Sequence, residues 1–217
     1  MGDDICDTFS GVERVLVLAP HPDDAELGCG GLISLLRERN IEVSICVFSL
    51  CEESIPNGFA HDVLAQEFRN SGQTLGVVEK NLIIKKYRVR RFDESRQDIL
   101  EDIVCLRREI RPDLVLMPSL DDIHQDHGVI AQQALRAIKT TKLMSYELPW
   151  NQMKTSLNFF VKLSERHIEA KIKAISCYES QQHRAYTGQF LYNLANVRGV
   201  MSGGELAEAF TIEKWVC

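Results

Sequence analysis

ERVLVLAPHPDDAELGCGGLISLLRER, residues 13–39, decides how the chain is read. Glu13 to Ala19 is a short run rich in Val and Leu, closed by Pro20, which predicts a buried strand. The glycines at 28, 30 and 31 then lead into Leu32, Leu35 and Leu36 at helical spacing, so Gly28 to Arg39 is predicted as a helix. Between strand and helix stands His21-Pro22-Asp23-Asp24-Ala25-Glu26. The glycines do not form a dinucleotide fingerprint, because GCGG lacks the GxGxxG spacing and HPDD stands where phosphate-binding glycines would be needed. A tight turn into a closely packed helix explains them better.

Working outward, the same alternation continues. Ile41 to Leu50 and Asn81 to Lys86 are predicted strands, and residues 51–60 a polar loop. Asp62 to Leu75 and Ser95 to Ile110 are predicted helices, the first stopped by Gly76 and the second by Pro112. Asp113 to Pro118 is a third clear strand, followed by a predicted helix over Gly128 to Thr140. Strands alternating with helices through short connections predict a Rossmann-like α/β fold, a mostly parallel sheet with helices on both faces. The last third shows one helical stretch, Ser164 to Tyr178, then a polar region. No linker or repeat interrupts residues 1–217, so a single domain is expected, in keeping with common domain sizes.

Composition narrows the function classes. The 217 residues are 45% apolar and 26% charged, with a net charge of −6. That charge argues against a nucleic-acid or anionic-membrane partner, which would call for clustered Lys and Arg. The one basic cluster, Lys85 to Arg91, reads as a solvated strand or loop, with anion binding as the alternative. Seven cysteines, at 6, 29, 46, 51, 105, 177 and 217, form no CxxC pair. They suggest free thiols in a reducing compartment. The acidic N-terminus lacks a signal-peptide pattern, and no apolar run approaches the ~20 residues of a membrane helix. The expected location is the cytoplasm.

A second polar cluster, Asp121-Asp122-Ile123-His124-Gln125-Asp126-His127, follows the strand Asp113 to Pro118. Both clusters therefore fall at carboxyl ends of buried strands, where parallel sheets place their ligand sites. Imidazole and carboxylate are ligands that zinc accepts, and a catalytic zinc takes three from the protein. His21 and Asp24 can converge from one loop, and His127 can come from the other. Asp23 is left beside the bound water as a candidate base. His124 is a candidate donor to an oxyanion, and Asp126 can hold an imidazole in one tautomer.

PHPDDAELGCGG together with RPDLVLMPSLDDIHQDH resembles the PIG-L/LmbE-like deacetylase family, and the resemblance covers most of the chain. Glu67 with Leu75-Gly76, Phe92-Asp93, Lys171 with Ser180-Gln181, and the closing Ala207 to Phe210 are weaker points of likeness. The resemblance implies a zinc hydrolase that removes an N-acetyl group from an N-acetylglucosamine-like sugar or its conjugate. It implies His21, Asp24 and His127 as metal ligands, Asp23 as general base and His124 as the oxyanion-stabilising residue. The division of labour between Asp23 and Asp24 rests mainly on this likeness. The metal in the cell could be another divalent cation, and relatives of this type often form homo-oligomers.

The chain departs from the family pattern at Pro20, at Ala25 before Glu26, at Gln125 where Pro is usual, and at Leu64 where an Arg is common. Arg69 is the candidate replacement for that Arg. Arg69, Tyr146 and Gln181 are the expected substrate contacts. Trp150 offers a stacking face for a sugar ring, and Glu52, Glu53 and Glu147 are further candidates. Rival readings are a metal-dependent amidase acting on a non-sugar N-acyl substrate and a non-catalytic sugar-binding domain.

Overall fold

A computed structural model describes residues 9–216. The reading of the N-terminus, and of Cys6 and Cys217, lies outside those residues. Seven strands form one sheet in the order β3-β2-β1-β4-β5-β7-β6. The first five are β1 (Arg14–Ala19), β2 (Glu42–Val47), β3 (Leu82–Ile84), β4 (Leu114–Pro118) and β5 (Lys142–Tyr146). All five run parallel. β6 (Phe159–Leu163) and β7 (Leu206–Lys214) close the sheet, with β7 antiparallel to both β5 and β6.

β1 shows why the parallel half was legible. Val15, Val17 and Ala19 pack on one face, while Leu16 and Leu18 pack on the other, and all are buried. A strand covered on both faces reads as a continuous apolar run. Helices α1 (Asp24–Glu38), α2 (Val63–Thr74) and α5 (Glu165–Ser176) cover the first face. Helices α3 (Arg96–Ile110) and α4 (Gln125–Ala137) cover the second. Burying a single Leu or Ile side chain in such a layer contributes about 1.5–3 kcal/mol. The chain order reverses between β1 and β4, so the loops after these two strands open into one crevice.

Several boundaries differ from expectation. α1 begins at Asp24, not Gly28, so the glycines lie inside the helix rather than in a turn before it. Close packing is still their reason. A Cβ on Gly28 would stand 2.3 Å from Cδ2 of Tyr146, and one on Gly31 would stand 2.6 Å from Cδ1 of Leu163. The helix kinks at Cys29, whose φ of −146° is not helical. At this kink the Glu208 carboxylate of β7 accepts from the N–H groups of Gly31 (2.9 Å) and Leu32 (2.7 Å). Lys171 of α5 donates to the same carboxylate at 2.7 Å.

α4 starts at Gln125, three residues earlier than expected, which puts His127 in its first turn. The polar tail after Tyr178 is also more ordered than its composition suggested. It holds α6 (Gly188–Met201), capped by the Thr187 hydroxyl, and then β7. No helix among the described residues is long and apolar enough to cross a membrane.

Candidate active site

The turn after β1 is shaped by its own side chains. Asp24 Oδ2 accepts from the backbone N–H of His21 at 2.9 Å. Asp23 takes a left-handed conformation, φ 87°, at the N-cap of α1. Strain of this kind in a non-glycine residue is held only where surrounding contacts enforce it. Here it turns two consecutive carboxylates into the crevice.

Three atoms from the two loops meet closely. His21 Nδ1 lies 3.2 Å from His127 Nε2 and 3.3 Å from Asp24 Oδ2. His127 Nε2 lies 3.2 Å from the same oxygen. A tetrahedral zinc with ligand bonds of ~2.0–2.1 Å holds neighbouring ligand atoms ~3.3 Å apart. The triangle therefore fits one face of such a site, and its donor set, two imidazoles and a carboxylate, suits zinc. His124 stands alongside: single ring atoms of His21, His124 and His127 all lie within 4.8 Å of one another.

The far side of each ring is held by a second carboxylate. Asp126 Oδ2 is 2.9 Å from His21 Nε2, and Asp122 Oδ2 is 2.8 Å from His127 Nδ1. Each carboxylate can accept a ring N–H, and in a neutral ring that leaves the opposite nitrogen with its lone pair facing the triangle. Asp126 also accepts from the backbone N–H of Arg90 at 2.7 Å, and Asp122 from that of His124 at 2.8 Å.

Protonation follows from these contacts. Burial would push the Asp24 carboxyl up, but the charges on His127 and His21 and their hydrogen bonds hold it well below the usual range. Burial and then the neighbouring Asp24 charge push Asp23 up to about 8, against the pull of Arg184, which donates to it at 3.3 Å. His127 is raised to about 10 despite its burial, because Asp24 and Asp122 both flank it. The cluster thus calls for positive charge at its centre. His124 is lowered to about 4 by burial and by the other two imidazoles. Its Nδ1 accepts from the backbone N–H of Asp126 at 3.2 Å, so the neutral ring carries its proton on Nε2.

A cleft of about 290 Å³ opens over these residues. Trp150 and Tyr186 form one wall, stacked with centroids 4.1 Å apart and planes 29° apart. Gln181, named from the sequence, lines the cleft, as do Asp23, Asp24, His21, His124 and His127. Two other expected contacts do not reach it. Tyr146 is buried at 1% exposure, and its hydroxyl donates to the Leu18 carbonyl at 3.1 Å, so it is a core residue under Gly28. Arg69 pairs with Glu79 at 3.2 Å and does not line the cleft. Leu64 does line it. Glu147 is taken up by an ion pair with Arg198, and Glu53 by one with Arg88.

Sequence reasoning gave no role to Asp122, Arg184 or Tyr186, and noted Arg90 only as part of the basic cluster Lys85 to Arg91. Asp122 carried a signal, since it lies five residues before His127 in the same polar cluster. Arg184 and Tyr186 lie in a loop remote from either motif, and nothing in their spacing announced them.

Comparison with known proteins agrees with this architecture. The PIG-L family model, described as GlcNAc-PI de-N-acetylase, matches residues 16–138. The chain is similar to the diacetylchitobiose deacetylase of Thermococcus kodakarensis, 26% identical over 94% of this chain and 84% of that one. It is also similar to the probable N-acetyl-alpha-D-glucosaminyl L-malate deacetylase 2 of Bacillus subtilis, 29% identical over 60% of this chain and 62% of that one. Among solved structures, the N,N'-diacetylchitobiose deacetylase of Pyrococcus horikoshii shares the fold with a TM-score of 0.79. The identity there is 22%, over 97% of this chain and 87% of that one. The chain belongs to the PIG-L family.

Proposed function

We propose that the protein is a zinc-dependent hydrolase that removes the N-acetyl group from an N-acetylglucosamine-like sugar or its conjugate. The observation that carries this reading is the triangle of His21, Asp24 and His127, with the Asp23 carboxyl beside it and a neutral His124 at its edge. The substrate class draws on the two curated relatives, both named as deacetylases of N-acetylated sugars.

His21, Asp24 and His127 would hold the zinc, which supplies a Lewis acid that polarises the amide carbonyl and acidifies water. Asp23 is the base. Its carboxylate takes a proton from the attacking water as the water oxygen bonds to the acyl carbon. The same proton is then delivered to the amine nitrogen as the C–N bond breaks, leaving acetate and a free amine. Arg184 favours the ionised form that Asp23 needs for this. His124 donates from Nε2–H to the carbonyl oxygen as negative charge grows there. Asp126 and Asp122 hold the rings of His21 and His127 in the required tautomers. Trp150 and Gln181 face the sugar from the cleft wall.

The same proposal takes the whole chain as one catalytic domain, since all seven strands share one sheet. It also places the protein in the cytoplasm, where the free thiols at Cys29, Cys46, Cys51, Cys105 and Cys177 persist. The test is free-amine release from a panel of N-acetyl sugars and N-acyl amino acids, with zinc content measured in parallel. Turnover of sugars, lost on chelation and restored by zinc, is the expected result. Turnover of N-acyl amino acids alone would make it a non-sugar amidase. Sugar binding without amine release would make it a binding domain.

A further inference from the structure

The cleft wall that carries Gln181, Arg184 and Tyr186 has little regular structure of its own, a single turn over Glu179–Gln181. Two buried carboxylates that take no part in the chemistry above hold the segment leading into it. Glu26 of α1 accepts from the Tyr178 hydroxyl at 2.9 Å. Glu67 of α2 takes both donors of one residue. Its Oε1 accepts from the Ser180 backbone N–H at 2.9 Å, and its Oε2 from the Ser180 hydroxyl at 2.6 Å. Glu67 and Ser180 are 113 residues apart, and both are buried. A buried carboxylate is costly unless hydrogen-bonded. Both of these bonds go to Ser180, so the burial of Glu67 is tied to the placement of that one residue.

From Ser180 the contacts run on into the cleft. The hydroxyl proton is committed to Glu67, which leaves the oxygen to accept from Gln181 Nε2 at 3.1 Å. The Gln181 carbonyl accepts from the Arg184 backbone N–H at 3.0 Å. The Arg184 guanidinium donates to Asp23 Oδ2 at 3.3 Å. Gln181 and Arg184 line the cleft, whereas Glu67 does not. A continuous series of contacts therefore joins a carboxylate in the middle of α2 to Asp23.

We propose that Glu67 is a positioning residue of the active site. Through Ser180 it sets where Gln181 stands in the cleft and where Arg184 meets Asp23, without touching the substrate. The inference rests on the deacetylase reading above for its turnover arm alone.

An amide at position 67 cannot do the same. Glutamine has one acceptor oxygen and one NH2 group. With its oxygen on the Ser180 N–H, its NH2 takes the side of the Ser180 oxygen where the hydroxyl proton lay. That proton is displaced toward Gln181 Nε2, donor against donor, and Gln181 must turn over or move away.

The test uses the full-length, zinc-loaded chain and the N-acetyl sugar that wild type turns over fastest. Glu67→Gln is made in wild type and in a chain already carrying Gln181→Ala and Arg184→Gln. In wild type it should lower kcat/KM by about ten- to a hundredfold, the range for reacting groups displaced by up to about 1 Å. In the second background the groups it positions are gone, so the same change should cost less than about twofold, since residues in one network are not additive. Circular dichroism and zinc content confirm that each protein is folded and loaded. Ser180→Ala, which keeps the backbone N–H bond to Glu67, is the milder variant should Glu67→Gln fail to fold. It should give a smaller loss of kcat/KM that also disappears in the second background.

A Glu67 that only stabilises the fold would lower Tm and leave kcat/KM per zinc-loaded molecule unchanged, or lower it by one factor in both backgrounds. Either result overturns the inference and leaves the deacetylase reading standing. A wild type that releases no amine from any sugar overturns the deacetylase reading instead. A crystal structure of Glu67→Gln, or of Ser180→Ala in its place, then decides the inference without turnover. Gln181 and Arg184 displaced from Ser180 and Asp23, with His21, Asp24 and His127 in place, supports it. Both contacts retained overturns it.

Discussion

Asp122→Asn changes one atom and should weaken metal binding without disturbing the fold. Asp122 makes two contacts of opposite consequence for an amide. Oδ2 accepts from His127 Nδ1 at 2.8 Å and Oδ1 accepts from the His124 backbone N–H at 2.8 Å. Asparagine has one acceptor and one donor group, so it satisfies only one of them. With its oxygen toward His127, its NH2 meets the His124 N–H, donor against donor, at the start of α4. Flipped, its NH2 faces His127 Nδ1 and drives the ring proton to Nε2, the atom that faces His21 Nδ1 and Asp24 Oδ2. Either orientation harms the triangle. Loss of such a carboxylate behind a ligating imidazole costs 10–100-fold in metal affinity, about 1.4–2.7 kcal/mol. Competition against a chelator of known zinc affinity measures this, with circular dichroism confirming an intact fold. A zinc Kd within about twofold of wild type would refute the assignment of His127 as a ligand through Nε2.

Three further outcomes are expected. Asp23→Asn should lower turnover by about 10²–10⁴ while zinc stoichiometry holds, checked by amine release and metal analysis on one sample. Gly28→Ala should cost about 1–3 kcal/mol by overpacking. Its Cβ meets the Tyr146 ring, which is itself fully buried, and the drop in Tm measures the loss. Tyr146→Phe should lower stability by about 1 kcal/mol through the lost bond to the Leu18 carbonyl. KM should stay unchanged, and a large rise in KM would return Tyr146 to the substrate site.

The parallel half of the sheet and the two polar motifs were legible because each has a local cause. β1 and β4 are buried on both faces and so spell out apolar runs. The clusters at their ends hold residues that a loop rarely needs together. The C-terminal third hid for equally physical reasons. β6 and β7 mix polar and apolar residues because each meets the core on part of its surface. α6 keeps Val197 and Val200 exposed while burying Leu191 and Ala195, so no single stripe marks it as a helix. α1 and α4 were begun too late because their first turns carry the polar residues Asp24 and Glu26, and Gln125, Asp126 and His127, in place of an apolar stripe. Tyr146 shows the limit of reading a pocket from a segment. It ends a strand near the crevice, yet its ring points into the core beneath the glycines of α1.

The Glu208 carboxylate has a wider consequence. The family match ends at residue 138, but the kinked helix that begins with Asp24 is completed by a side chain seventy residues later in the sequence. Cut the chain after the matched region and the amides of Gly31 and Leu32 lose the Glu208 carboxylate that accepts from them, while the glycine seam loses the α5 and β6 surfaces it was narrowed to fit. The stretch by which the family is recognised is thus not a unit that can be lifted out. A substitution at Lys171 or Glu208 would therefore be felt in the shape of a helix far earlier in the polypeptide.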